Sequence, residues 1–377
     1  MIFNEWFRDE NLVPSFLVNT DDGPDPSANY AILKRGKRHD YFTTALPWPQ
    51  KGEAVTIPYS GNAPVITGDE HWTEDARDPM KLRQSVTAAL PAAFTNLGVN
   101  TDGNLRSAGS GSADLYTWTP SNLYADLSDV TATTINQLRQ AFQVQKLLER
   151  DARGGTRYAE IVRSHFGVVS PDARLQRPEY LGGGHSMVMI NPVAQTSETI
   201  DTPQGNLAAF GTALASGHGF TQSFVEHGYV IGLVNVRADL AYQQGLRRHW
   251  SRRTRYDYYF PVFAQLGEQA VLSKEIYCDG SSADDDVFGY QERWAEYRYN
   301  PSEITGLMRS TVTGTVDAWH YAARFETRPV LNGSFIADTA RSVVQRTTAV
   351  GSEANGQQFL MDAFFDIKAA RPMPKVS

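Results

Sequence analysis

Apolar residues in this chain come in short runs, such as Tyr229-Val230-Ile231-Gly232-Leu233-Val234, separated by residues that turn the backbone. With 30 glycines, 19 prolines and 11% aromatic residues, such a pattern favours short strands and long structured loops over a helical bundle. The runs are far shorter than the roughly 20 apolar residues that span a bilayer. Met1-Ile2-Phe3 is followed at once by Asn4-Glu5, so neither a transmembrane helix nor a secretory signal is expected. At 41% hydrophobic and 20% charged, the chain can bury a sizeable core. Its 377 residues correspond to about two average domains, although one elaborated β domain can run past about 200 residues.

The formal net charge of −7 argues against a protein that coats nucleic acid with its whole surface. It leaves room for one local basic patch. The single cysteine, Cys278, cannot form an internal disulfide, so no oxidising compartment is implied. Its neighbour Asp279 would raise the thiol pKa and so not activate it.

Along the chain, Asn19 to Pro26 reads as a turn-rich knot rather than a calcium loop, because the alternating oxygen ligands, Gly and terminal Glu of an EF-hand are absent. The acidic run Asp284-Asp285-Asp286 fails the same test and reads as a solvated loop tip. Residues 61–130 are dominated by Ser, Thr, Asn, Gly and Pro, yet contain Trp72, Phe94, Tyr116 and Trp118. They read as an ordered surface excursion with a small core of its own. The clearest helix follows. Thr134 and Gln137 have capping-box spacing, Ile135, Leu138, Phe142 and Leu147 recur at helical spacing, and Gly154-Gly155 stop it. A second helix is expected from about Thr156 to Phe166. Strands are expected at Ser186–Ile190, Gly228–Val236, Tyr258–Phe263 and Phe335-Ile336. The run Gly228–Val236, apolar on both faces, suits a strand buried between two layers. Such runs separated by long loops point to a β-sandwich or barrel.

No catalytic signature is present: no phosphate loop, no Gly-x-Ser-x-Gly elbow, and Gly182-Gly183-Gly184 reads as a flexible turn. The histidines, including His218 and His227, lack metal-ligand spacing, so neither a metal nor another cofactor is expected. Glu292 and Glu296 lie four apart but carry no sign of the spatial separation that glycosidic chemistry needs. Asn332-Gly333-Ser334 matches a glycosylation acceptor that has no use without secretion. The densest charge feature is Arg247-Arg248-His249-Trp250-Ser251-Arg252-Arg253-Thr254-Arg255-Tyr256. Planar guanidinium forks suit phosphate, and the rings of Trp250 and Tyr256 suit stacking on unpaired bases, so Arg247, Arg248, Arg252, Arg253 and Arg255 fit single-stranded nucleic acid. They also fit an edge that pairs with a neighbouring subunit's carboxylates, and that reading comes first because charge runs more often form solvated or paired faces.

Several long motifs, in unbroken order, resemble the major capsid protein of microviruses, in their gokushovirus branch. They are Asn4–Leu12, Arg35–Gly52, Glu149–Tyr158, Pro171–Gly183, Gly217–Ser223, Tyr256–Glu275, Gly289–Tyr299 and Asn355–Phe359. The likeness covers nearly the whole chain apart from residues 61–130. It implies a mainly β, single jelly-roll barrel with long loop insertions and a few short helices. Sixty copies would form a T=1 shell around circular single-stranded DNA in the virion, after assembly in the host bacterial cytoplasm. It also implies a small basic packaging protein as a partner. A variable insertion at the three-fold axis, here residues 61–130, would meet a host cell-surface receptor.

Members of this family carry a segment before the Asn-Glu-Trp motif, whereas this chain begins three residues ahead of it. The expectation is a capsid protein lacking its N-terminal segment, whose unpaired strand edges prevent shell formation by this chain alone. The competing reading is a jelly-roll carbohydrate-binding or carbohydrate-active protein, with acids such as Glu292 or Asp317 doing chemistry.

Overall fold

Local capping decides where the helices lie. In the computed structural model, the described residues are 1–56, 134–201, 203–205, 207–337, 343, 346, 348, 358–373 and 375, plus the backbone of six short strands between residues 65 and 125. The chain divides into two compact units, residues 1–52 with 147–377, and residues 53–146.

In the second unit, β1 (Val65–Thr67), β2 (Leu82–Gln84), β3 (Leu97–Val99), β4 (Leu105–Ser107), β5 (Tyr116–Trp118) and β6 (Leu123–Ala125) form three nested antiparallel pairs. The pairs are β1 with β6, β2 with β5 and β3 with β4. Apart from these strands, the surface excursion expected over residues 61–130 lies outside the described residues. The unit ends in the first part of helix α1 (Ile135–Gly154). The Gln137 amide donates to Thr134 Oγ1 at 3.2 Å and the Thr134 amide to Gln137 Oε1 at 2.8 Å, the reciprocal cap read from the sequence.

In the first unit α2 (Ile2–Trp6) precedes α3 (Tyr158–Phe166). The Glu160 side chain accepts from the Arg157 amide at 3.1 Å to start α3, and Gly167 closes it at φ +69°. Next come β7 (Met189–Ala194), paired antiparallel with β8 (Leu207–Thr212), and then β9 (Glu268–Leu272), paired antiparallel with β10 (Val287–Glu292). A four-residue helix, α4 (Gly333–Ile336), follows. The core gathers around β9 and β10: Tyr41, Phe42, Tyr242, Val271, Ile276, Phe288 and Phe335 are buried together. Gly289 makes room for this packing. A Cβ there would lie 2.8 Å from Leu331 Cδ2 and 3.0 Å from Ala45 Cβ, beside the paired backbones of Leu46 and Tyr290.

Three expected strands are absent. Tyr258–Phe263 instead enters a 3₁₀ turn at Pro261, whose ring fixes φ and removes a ladder donor. Phe335-Ile336 belongs to α4 because the Asn332 side chain accepts from the Phe335 amide at 2.9 Å, a helix cap rather than a strand entry. Gly228–Val236 runs without regular structure, and its apolar residues are exposed, Tyr229 at 96% and Val234 at 74%. Neither ladder partner nor covering layer is supplied to it by the described residues. The strand expected at Ser186–Ile190 begins only at Met189. The outcome is a chain with small two-stranded sheets and few helices, compatible with a mainly β fold. Among the described residues no helix is long and apolar enough to cross a membrane.

Candidate interface at the arginine-rich turn

The segment Arg247–Tyr256 folds as two 3₁₀ turns, Arg248–Ser251 and Arg255–Asp257. Asp257 holds the second in place: Oδ2 accepts from the amides of Thr254 at 2.8 Å and Arg253 at 3.0 Å. Those contacts, the Thr254 amide first, lower its carboxyl pKa.

The five arginines do not form one patch. Arg247 pairs with Glu303 at 2.8 Å and donates to Asn300 at 2.7 Å. Arg248 donates to the Ala270 carbonyl at 2.6 Å and to Glu275 at 2.9 Å. Arg252 reaches Glu296 at 3.4 Å and lies over the rings of Tyr297 and Tyr258, at 4.8 and 5.1 Å from their centroids. These three serve the fold of their own chain. Arg253 and Arg255 are exposed, and neither guanidinium meets a carboxylate among the described residues; Arg255 lies over Tyr256 at 5.0 Å. Trp250, 71% exposed, and Tyr256, 57% exposed, belong to the same ten-residue segment. The free surface is therefore two cations and two rings.

The buried side of the cluster has its own electrostatics. Burial raises the Glu275 carboxyl, and Arg248 opposes that rise without cancelling it. Desolvation pulls Arg248 down, but Glu275, Tyr41 and Glu296 together more than offset it. Tyr41 donates to the second Glu275 oxygen at 2.8 Å.

The remaining sequence candidates are structural. Glu292 pairs with Arg298, and Glu296 accepts from Gln269 at 2.7 Å as well as from Arg252. Asp317 accepts from Thr315 at 2.6 Å. The expected acidic loop tip is not fully solvated: Asp284 is buried and receives Arg328 at 2.9 Å and the Gly280 amide at 2.9 Å. Desolvation pushes the Asp284 carboxyl up, yet Arg328 and the two amides of Asp279 and Gly280 prevail and hold it at about 2. Burial, then the Asp284 carboxylate, raises the Cys278 thiol, in the direction read from the sequence. Among the described residues no group of three His, Cys, Asp or Glu side chains is placed to hold a metal.

Sequence reasoning missed the polar nodes that join distant segments. Gln291, 1% exposed, donates to the Tyr41 carbonyl and to Thr44 Oγ1, both at 2.7 Å, and accepts from Arg153 at 3.1 Å. Glu10 accepts from the Thr156 amide at 2.8 Å. Trp6 donates to the Pro178 carbonyl at 2.9 Å, with Arg177 over its ring at 4.8 Å. Each node joins two or three of the motifs that carry the resemblance.

Exposed apolar segments of this extent mark surfaces suited to contacts with other macromolecules. The family model described as capsid protein (F protein) matches residues 1–377. The capsid protein VP1 of Bdellovibrio phage phiMH2K is 48% identical over 378 residues, covering 99% of this chain and 70% of the relative. That of Chlamydia phage 1 is 42% identical over 435 residues, covering 100% and 72%, and that of Spiroplasma virus 4 is 37% identical over 396 residues, covering 100% and 71%. The chain belongs to the capsid protein (F protein) family, and its role is structural, not enzymatic. The carbohydrate-active alternative is not favoured.

Proposed function

We propose that the chain is the subunit of a T=1 icosahedral shell, built on a single jelly-roll barrel and enclosing circular single-stranded DNA in the virion. The observation that carries this reading is the set of extended, apolar, unpaired segments. Tyr229 to Val236 and Phe359 to Ile367 expose most of their large side chains, with Leu360 at 98% and Phe364 at 93%. Burying apolar area contributes about 25 cal/mol per Å², so segments like these are stable only when covered, and the cover on this reading is further copies of the chain. Strand pairing between copies, or within a subunit ordered by its neighbours, completes the roll. A small basic packaging protein supplies charge that an acidic subunit lacks, and residues 61–130 form the protrusion that meets a host receptor.

The exposed Arg253, Arg255, Trp250 and Tyr256 face the packaged strand. Two exposed cations without an internal carboxylate, Arg255 lying over the exposed Tyr256 ring, match phosphate plus stacked base better than they match a partner's acids. Cryo-electron microscopy of purified particles tests the whole reading. Sixty subunits per shell, each an eight-stranded antiparallel roll with density for nucleic acid beside Arg253, is the expected map. A different subunit number or a helical subunit contradicts it.

A further inference from the structure

Among the described residues five buried side-chain polar atoms have no hydrogen-bond partner: Arg8 Nε, Ser251 Oγ, Arg252 Nε, Gln269 Oε1 and Arg293 Nε. Four of the five belong to residues that line one cleft of about 240 Å³ between the first 3₁₀ turn of the arginine-rich segment, β9 and the residues after β10. Buried polar groups in proteins are nearly always paired, and leaving one unpaired is costly, so a concentration of four in one place calls for an occupant.

The orphans define what the occupant offers. Ser251 Oγ–H, Arg252 Nε–H and Arg293 Nε–H are donors that lack an acceptor. Gln269, 4% exposed, has its amide nitrogen committed to Glu296 at 2.7 Å, which leaves Oε1 as the one acceptor that lacks a donor. Charge points the same way. Arg248, Arg252 and Lys274 on the cleft wall are paired, with Glu275, Glu296 and Asp285 respectively. What remains is Arg253 and Arg293 against Asp257, one positive charge in excess.

We propose that this cleft is an oxyanion site, taking a phosphate group whose oxygens accept from Ser251, Arg252 and Arg293. The donor to Gln269 is a hydroxyl of the phosphate or a water bound with it. The cleft has room for both, since a water's share of liquid volume is about 30 Å³. The chemistry is shared by free hydrogen phosphate and by a phosphate of a nucleic-acid strand. The site is separate from the exposed rings and does not depend on the stacking role given to Trp250 and Tyr256.

The test titrates inorganic phosphate, and separately a short single-stranded oligonucleotide, into the full chain by calorimetry at fixed ionic strength. Arg293→Lys keeps the charge but deletes the Nε donor, and Ser251→Ala deletes the hydroxyl. Saturable phosphate binding that weakens about tenfold in either variant, and is unchanged in Arg255→Gln, is the expected result. If only the oligonucleotide binds, and both variants weaken it about tenfold while Arg255→Gln retains that dependence, the strand is the source of the phosphate and the site stands. If both ligands bind the variants as they bind the parent, or phosphate does not bind and the oligonucleotide ignores both substitutions, the cleft holds water alone and the proposal is overturned. Ser251→Ala keeps the test open should Arg293→Lys fail to fold.

Discussion

Arg248 and Glu275 form an ion pair at 2.9 Å across 27 residues of chain, with the Glu275 side chain only 3% exposed and its second oxygen receiving Tyr41. An arginine that reads in the sequence as part of one charge run is thus tied to a buried carboxylate of its own chain.

Replacing it should unfold the subunit before it affects any partner. Arg248→Met strands a buried carboxylate, which costs about 3 kcal/mol. Burial already raises the Glu275 pKa, so ionising it costs stability as pH climbs through the folded value. Without Arg248 that cost grows, and the deficit of the variant against the parent should be larger at pH 8 than at pH 5. Thermal melts of dissociated subunits at the two pH values measure it, and a deficit independent of pH would count against the pairing.

Arg253→Gln with Arg255→Gln should leave subunit stability within about 0.5 kcal/mol of the parent, because neither guanidinium is used internally. DNA content per particle should fall, and the salt sensitivity of DNA release should weaken. Unchanged DNA content with reduced assembly yield would assign these residues to a subunit contact instead.

Arg328 donates to Ser273 at 2.8 Å, the Tyr277 carbonyl at 3.0 Å, Asp279 at 2.8 Å and Asp284 at 2.9 Å. Arg328→Met should therefore lower the denaturant midpoint of the subunit. The Asp284 carboxyl is depressed to about 2, so its contribution is present above its ordinary value and is lost as pH falls through 2. The variant should unfold at a higher pH on acidification. Circular dichroism through an acid titration decides this, and coincident curves for parent and variant would refute it.

Gly289→Val places carbons where Leu331 and Ala45 already lie, at 2.8 and 3.0 Å from the position of a Cβ. Overpacking of this kind costs about 1–3 kcal/mol. A denaturant midpoint equal to the parent's would show that the Leu46–Tyr290 contact yields more readily than the geometry implies.

The sequence is most readable where the signal is local. The Thr134 cap and Gly167 stop depend on residues three or four apart, and both helices form as expected. Gly228–Val236 shows the limit: the run is apolar on both faces, but whether layers cover it depends on partners that a single sequence does not display. Asn332 shows another. It reads as a modification acceptor, yet its side chain caps α4 and turns an expected strand into a helix. The internal partners of the arginine cluster are hidden from the sequence for a long-range reason. Glu275, Glu296 and Glu303 lie 27 to 56 residues beyond their arginines, at spacings with no periodic signature. The family motifs carried what spacing did not, since Gln291, Glu10 and Trp6 tie those motifs to one another.

Amide hydrogen exchange of residues 228–236 and 359–367, compared between purified particles and subunits dissociated from them, reaches the central claim most directly. Cover by other copies predicts amides that exchange within seconds in the free subunit and are strongly protected in the particle. Equal and rapid exchange in both states would mean that these segments stay bare in the shell, and that association rests on some other surface.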